Sequence, residues 1–453
     1  MNQTERGGFA TKLGIILATA GSAVGLGNVW RFPFMAGQNG GAAFIVIYFG
    51  CILLLGIPGM VSEFIIGRHS QSNSARAYGH IAGNRLWKAV GFLGIITSII
   101  ILGFYAVVAG WCLQYLFASL GGSLNGDADY VQHYFQSFAS HPWKPCLWAV
   151  AFIAITHLVV VRGVQGGIER ASKLLMPTLF VLLLIIVVAS CMLPGAAAGI
   201  EFLLKPDFSR VSHSVLLEAL GQAFFSLSLG TCCLCTYASY FSRQTNLLSS
   251  ATQIALIDTL IAILAGLMIF PAAFSVGIEP DSGPSLIFIT LPNVFQQAFG
   301  SMPVVGYVIG IMFYALLVFA ALTSTISMHE IGTAFFTEEL HVGRNRGAWV
   351  VTVVCSVLAV LCSLSVGAVA DLQLFGLSLM DLCDFITAQV MLPLGAFLTS
   401  LLVGWVVSER VIRSEFTNGG TVSVALYRAY RFSVRYVVPL CIVLIFLHQL
   451  GII

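Results

Sequence analysis

Long apolar runs separated by short polar turns dominate the chain. At ~1.5 Å per helical residue, about 20 apolar residues cross the ~30 Å hydrocarbon layer of a bilayer. The pattern predicts spans over residues 11–36, 41–66, 90–120, 145–162, 171–193, 214–241, 250–277, 302–338, 347–365, 372–407 and 430–450. That is about eleven spans, most longer than crossing requires, which points to tilt or protruding ends rather than extra passes. Two are interrupted at their middles. The first carries Gly21-Ser22-Ala23-Val24-Gly25-Leu26-Gly27, and the sixth carries Ser226-Leu227-Ser228-Leu229-Gly230-Thr231. Glycine and hydroxyl residues at that depth free backbone N–H and C=O groups that lipid cannot satisfy. Such backbone must line a cavity or bind a ligand. Two breaks roughly two hundred residues apart suggest a transporter built from two repeats.

Composition agrees with this pattern. The chain is 58% hydrophobic and 9% charged, which excludes a soluble globular domain and leaves an all-α polytopic membrane protein. The connecting segments are too short for a soluble domain. A net charge of +2 gives no reason to expect nucleic acid; the partners expected are a small molecule and membrane lipid. Of the 21 lysines and arginines, all but Arg31, Lys144, Lys205 and Arg210 fall on the N-terminal side of the membrane. Basic residues gather in the cytoplasm, so the N-terminus is read as cytoplasmic. Arg6, Lys12 and Ala18-Thr19-Ala20 mimic a cleaved signal peptide, but the apolar run continues through Pro33 with Arg31 inside it. The first span is therefore read as uncleaved.

Enzyme motifs fail on inspection. His329-Glu330 opens like a zinc-protease HExxH, but residue 333 is Thr, so the second metal-binding histidine is missing. Gly25-x-Gly27 follows no strand and does not continue as a dinucleotide loop. Cys232, Cys233 and Cys235 lack zinc spacing and read as small residues at a helix contact. With no phosphate-binding loop either, nothing points to an ATP site.

The run Gly21-Ser22-Ala23-Val24-Gly25-Leu26-Gly27-Asn28-Val29-Trp30-Arg31-Phe32-Pro33 resembles the first helix of the neurotransmitter:sodium symporter family. Gln222 to Gly230 with Thr236-Tyr237-Ala238-Ser239-Tyr240 resembles its sixth helix, and Ala320-Ala321-Leu322-Thr323-Ser324-Thr325 its eighth. The resemblance implies a cytoplasmic segment 1–10, a first repeat 11–195 (helices 1–5), a second, inverted repeat 196–407 (helices 6–10), and a loop with helix 11 over 408–453. Helices 1 and 6 would be unwound at the midplane. That inverted-repeat architecture is already known from a bacterial member of this family, so it is carried over by likeness. Eleven spans match the family's bacterial branch, which implies an inner-membrane location.

What the resemblance implies at the site can be stated residue by residue. Leu26 and Gly27 would offer backbone N–H groups to a substrate carboxylate, aided by the Tyr105 hydroxyl. The carbonyls of Ala23, Phe225 and Ser226 and the Ser228 side chain would receive the ammonium group. Ile101, Tyr105, Phe225, Ser228, Thr231, Ser324 and Met328 would enclose the side chain. Two sodium ions are implied, which as hard cations want oxygen ligands. The first set is the Ala23 carbonyl, Asn28, Ser226 and Asp258. The second is the Gly21, Val24 and Ala320 carbonyls with Thr323 and Ser324. Monoamine-transporting relatives have Asp where this chain has Gly25, so the negative charge is left to the substrate, and an amino acid fits better than an amine. Asp258 stands where chloride-dependent relatives have Asn beside a chloride site, so chloride independence is expected, with proton counter-transport as a further option. Arg31 and Asp384 would form an outer gate, and Arg6 and Glu338 an inner one; the family often has Asp at position 338 and Trp at position 9, where this chain has Phe. Gly167 and Pro177 match a spacing that unwinds the inner end of helix 5. Gly277-Ile278-Glu279-Pro280-Asp281-Ser282-Gly283-Pro284, followed by an amphipathic stretch, would be an outer lid. The reading is a sodium-coupled symporter of neutral, hydrophobic or aromatic amino acids. A membrane sensor that binds without transporting would keep the same residues.

Overall fold

The computed structural model describes residues 8–277, 286–369, 371–449 and 451. Among them, eight helices are long and apolar enough to cross a bilayer: α2 (Ala42–Ser70), α3 (Arg85–Leu120), α5 (Val164–Cys191), α7 (Leu247–Ser275), α8 (Pro303–Glu339), α9 (Arg344–Val366), α10 (Leu379–Val406) and α11 (Val424–His448). The first span is broken into α1a (Lys12–Ala23) and α1b (Leu26–Gln38), bent by 64°. The fourth, α4 (Lys144–Val160), has 17 residues, about 26 Å of helix at the standard rise. The sixth is α6a (His213–Ser226) and α6b (Cys233–Ala238), separated by an irregular stretch. Every span read from the sequence thus has a helical counterpart.

Local chemistry sets many of the ends. Thr11 starts α1a by accepting a hydrogen bond from the Gly14 N–H, and Asn246 starts α7 by accepting from Ser249. Such caps replace the missing intrahelical partners of a first turn. Two of the boundaries that differ from expectation have a local cause. Residues 372–378 do not begin the tenth span. Gln373–Leu374 (β1) pairs antiparallel with Leu377–Ser378 (β2) around Phe375 and Gly376, both at positive φ, the backbone of a tight hairpin turn. The Ser378 hydroxyl then caps α10, which starts at Leu379, by accepting from the Asp381 N–H. The last span begins at Val424 rather than 430, because Ser423 caps it by accepting from the Leu426 N–H.

Burial follows from a membrane solvent. Tyr48, Tyr78, Tyr115, Phe32 and Phe64 are fully enclosed, whereas Trp349, Val353, Val357 and Leu361 of α9 are exposed. Their spacing of four puts them on one helix face, an apolar stripe suited to lipid. α8 packs against α1a, α3, α5 and α9 and so sits beside the breaks. Of the expected outer lid, residues 278–284 lie outside the described residues. The amphipathic stretch after it is helical over Leu291–Ala298. It buries its apolar side, with Phe295 against Phe313 of α8, while Phe288 just before it packs on Trp111 and Tyr115 of α3.

Candidate substrate and ion site

The two breaks face one cavity of about 580 Å³. In the first, α1a stops at Ala23, Val24 turns extended, and Gly25 caps the next turn. The Gly25 N–H donates to Asn28 Oδ1 at 3.0 Å, and the Leu26 N–H donates to Tyr105 Oη at 3.1 Å. A substrate carboxylate at Leu26 would therefore share or displace the tyrosine bond. A Cβ on Gly25 would lie 2.7 Å from Ser324 Oγ and 3.2 Å from Tyr105 Oη, so no side chain fits there without movement.

In the second break, Ser228, Gly230 and Cys232 all take positive φ, which for Ser228 and Cys232 is uncommon. Their backbone groups are met by side chains from other helices. Glu63 of α2, buried in the bundle, accepts from the Gly230 N–H at 2.9 Å and the Cys235 N–H at 3.3 Å. Ser98 of α3 donates to the Thr231 carbonyl at 2.9 Å. A Cβ on Gly230 would come within 2.3 Å of the Leu392 carbonyl, so α10 also needs glycine there.

All the residues expected to hold substrate line this cavity: Ala23, Leu26, Gly27, Ile101, Tyr105, Phe225, Ser226, Ser228, Thr231, Ser324 and Met328. Trp30, Phe34, Phe104, Val108 and Met380 also line it and were missed. Their positions show no spacing that separates cavity lining from ordinary packing.

Beside the cavity lies a cluster of oxygen atoms around Asp258, which is completely buried. Ser226 Oγ donates to Asp258 Oδ2 at 2.7 Å, Asn28 Nδ2 to Oδ1 at 2.8 Å, and Tyr48 Oη to Oδ2 at 3.4 Å. Every donor is neutral, and among the described residues Asp258 has no ion pair. An unpaired carboxylate at membrane depth is costly; a bound cation would relieve that cost. A second group of oxygens lies between α1a and α8. Thr323 Oγ1 is 3.4 Å and Ser324 Oγ 3.2 Å from the Val24 carbonyl, and Thr323 Oγ1 is 2.9 Å from the Ala320 carbonyl. A Cβ on Gly21 would lie 3.0 Å from Thr323 Cβ, so glycine permits this approach. Thr323 also reaches the carbonyl of Phe319 in its own helix, but Ser324 Oγ reaches across to α1.

The expected gate residues have distinct surroundings. Arg31 lies 4.1 Å above the Phe225 ring, and Asp384 lines the same cavity. The two act on each other electrostatically without forming an ion pair. On the other side, Arg6 lies outside the described residues. Glu338 accepts from the Asn73 N–H at 2.7 Å and its Nδ2 at 3.1 Å. Gly167 sits in a π-helical turn at the start of α5, pressed against the Val159 carbonyl, and Pro177 lies within the continuing helix. That end of α5 is wound in this structure.

Sequence reasoning missed three charged networks. Glu330 of α8, fully buried, accepts from Arg344 at 2.5 and 3.0 Å and from Tyr240 Oη at 2.7 Å. Glu169 of α5 holds the start of α1a, accepting from the Ala10 N–H and Thr11 Oγ1, each at 2.7 Å. Arg68, at the end of α2, pairs with Glu415 at 2.7 Å and also donates to the Thr245 carbonyl. The available signal was an acidic residue within an apolar run, which applies to Glu63 and Glu330 as it does to Asp258.

A family model for the sodium:neurotransmitter symporter family matches residues 6–137 and 142–452. An uncharacterised sodium-dependent transporter of Bacillus subtilis, YhdH, is 40% identical over 447 residues, covering 98% of each chain. The human sodium- and chloride-dependent GABA transporter 2 is 25% identical over 458 residues, covering 89% of this chain and 73% of its own. The crystal structure of MhsT in complex with L-phenylalanine aligns with a TM-score of 0.88 and 39% identity, over 98% of this chain and 100% of that one. The broken helices, the oxygen clusters and these matches lead to one conclusion: the chain belongs to the sodium:neurotransmitter symporter family, multi-pass sodium-dependent secondary transporters rather than enzymes.

Proposed function

We propose that the chain is a chloride-independent sodium symporter for neutral, hydrophobic or aromatic L-amino acids, working by alternating access. The observation that carries this reading is the buried carboxylate of Asp258, which has three neutral donors and no cationic partner among the described residues. Sodium at Ala23, Asn28, Ser226 and Asp258 would balance it, and a fixed negative charge there removes the need for chloride. The second sodium would sit among Gly21, Val24, Ala320, Thr323 and Ser324. The substrate carboxylate would lie at Leu26, Gly27 and Tyr105, next to the first sodium. Its ammonium group would face the carbonyls of Ala23, Phe225 and Ser226 with Ser228.

Gly25 leaves no room for a fixed acidic side chain, so the substrate must bring its own carboxylate. Ile101, Phe225 and Met328 supply apolar walls, with Thr231 small enough to admit a ring. MhsT, whose structure holds L-phenylalanine, supports an aromatic substrate by likeness. Closing the Arg31–Asp384 pair would occlude the site from outside. Release inward would follow opening at Glu338 and Arg6 and unwinding at Gly167 and Pro177. The two inverted repeats would span 11–195 and 196–407, with the N-terminus cytoplasmic and the protein in a bacterial inner membrane.

The test is uptake of radiolabelled phenylalanine, tryptophan and leucine into proteoliposomes under an inward sodium gradient, with chloride present or replaced by gluconate. Sodium-driven accumulation in gluconate is the expected result. Saturable binding without accumulation would point to a sensor. Accumulation that requires chloride would remove the role given to Asp258.

A further inference from the structure

At the N-terminal end of α11, arginines and aromatic side chains gather around donors that no group among the described residues satisfies. Arg431 Nη1 donates to the Val403 carbonyl and Arg435 Nε to the Gly404 carbonyl at 2.8 Å, so both close the end of α10. Arg431 is nine-tenths buried, yet its Nε–H has no partner. One helical turn earlier, the Tyr427 hydroxyl is also buried and also unpartnered. Of the charged groups acting on that phenol Glu409 is the strongest, and Arg431, Arg435 and Arg413 oppose it. Among the described residues none of the three arginines forms an ion pair. Two buried donors without a partner, beside three arginines that form no ion pair, would be satisfied by an acceptor from outside the chain.

Their surroundings indicate where that acceptor comes from. Trp405, Phe432 and Tyr436 are exposed and in ring contact through Tyr436, with Arg435 lying 5.4 Å over Trp405. Aromatic rings beside basic residues mark the headgroup level of a membrane. Leu440 and Val443, four and seven residues beyond Tyr436 on the same helix face, are exposed and apolar. A phosphate at the arginines would place acyl chains along that face.

We propose that Tyr427, Arg431 and Arg413 form a binding site for a phosphate ester anion, and that the apolar face of α11 beside it selects an anionic phospholipid. A soluble phosphate ester offers the same headgroup chemistry without the acyl chains. The experiment uses the full-length chain, delipidated in detergent. Binding is followed by native mass spectrometry and thermal shift with phosphatidylglycerol, phosphatidylcholine or glycerol phosphate. Phosphatidylglycerol should be retained over phosphatidylcholine, and Arg413→Gln should weaken it about fivefold, as expected for one basic residue at an anionic membrane surface. Tyr427→Phe, which removes only the orphan hydroxyl, should weaken it further. These variants leave the Arg431 bond to α10 intact, so the fold is not at stake. Equal effects of glycerol phosphate would support the anion site and assign it a soluble source. No preference for phosphatidylglycerol together with no effect of glycerol phosphate would overturn the proposal, as would unchanged phosphatidylglycerol binding in the double variant.

Discussion

Replacing Asp258 by asparagine removes one charge and almost no volume. In the folded protein the carboxylate accepts from Ser226 at 2.7 Å and Asn28 at 2.8 Å. A unit charge acts on an ion about 4 Å away with ~4 kcal/mol at an effective dielectric constant of about 20. That corresponds to about a thousandfold in sodium affinity. The new amide adds a second cost, because its NH₂ must face either the Asn28 amide or the Ser226 hydroxyl. Ser226 can rotate its proton away and accept; Asn28 cannot, so the amide oxygen must turn toward it. With that orientation the hydrogen-bond loss is small and the missing charge dominates.

The assay is the sodium dependence of amino-acid uptake into proteoliposomes in gluconate, with thermal unfolding confirming that Asp258→Asn is folded. Half-saturating sodium should rise by at least about a hundredfold, allowing for partial screening by water entering with the ion. Chloride should recover part of the loss. Gln222, one turn before Ser226 on α6a, is buried and has an amide without a partner among the described residues. It offers a donor to an anion that replaces the lost charge. Unchanged sodium dependence in gluconate would refute the reasoning, because a carboxylate that touches the ion cannot be neutralised without cost.

Three further outcomes follow from other parts of the structure. Gly25→Asp puts a Cβ 2.7 Å from Ser324 Oγ and a negative charge beside the substrate carboxylate; equilibrium binding of phenylalanine should weaken more than about tenfold, and unchanged affinity would remove the proposed pose. Glu330→Gln breaks the ion pair between the fully buried Glu330 and the partly exposed Arg344, a loss of at most about 3–5 kcal/mol, the range for a wholly buried pair; the melting temperature should fall and hydrogen exchange rise over residues 233–241, where Tyr240 is tethered. Burial pushes the Glu415 carboxyl up, but the hydrogen bond from His69 and the charge of Arg68 outweigh it and hold the group below its ordinary value of 4.5. A depressed carboxylate stabilises the fold above its unfolded pKa and loses that contribution as pH falls through the folded one. The wild-type melting temperature should therefore drop as pH goes below 4.5, and Glu415→Gln should flatten that drop.

How much could be read from the chain depends on whether a feature is local. The spans, the two breaks and the lone charge of Asp258 in an apolar run are local, because membrane depth penalises every free backbone group or carboxylate one at a time. The cavity walls are not local. Ile101, Tyr105, Ser324 and Met328 come from helices far apart in sequence, and only the family resemblance placed them with Leu26 and Phe225. The networks at Glu63, Glu330 and Glu415, and the tie from Glu169 to the start of α1a, were illegible for a related reason: the chain shows one charge, and the group it meets lies elsewhere. Glu63 satisfies Gly230, and Arg68 pairs with Glu415, across long stretches of the sequence. The hairpin at 373–378 was absorbed into a span because Leu372, Leu374, Phe375 and Leu377 are apolar, and hydrophobicity alone does not distinguish a turn from the start of a helix.

The buried acids divide into two kinds, and the division favours Asp258 as the proposed ion site. Glu63 receives two backbone N–H groups at the start of α6b, where the helix end is itself partly positive. Glu169 has Lys173 at 2.6 Å besides the start of α1a, and Glu330 has Arg344. Each of these charges is already answered by protein, so each is a fixed brace: Glu63 keeps the sixth helix broken, Glu169 holds the first helix to the fifth, and Glu330 ties the end of the sixth to the eighth and ninth. Asp258 has side-chain donors alone, drawn from α1b, α2 and α6a. Those helices come together at a charge without a cationic partner among the described residues, which a bound cation would balance. Arrival of the ion would tighten the contact among them, and its departure would leave the carboxylate unpaired and loosen it. Sodium binding at the proposed site would thereby be coupled to the relative placement of the two broken helices, which is the coupling a symporter needs between its ion and its substrate.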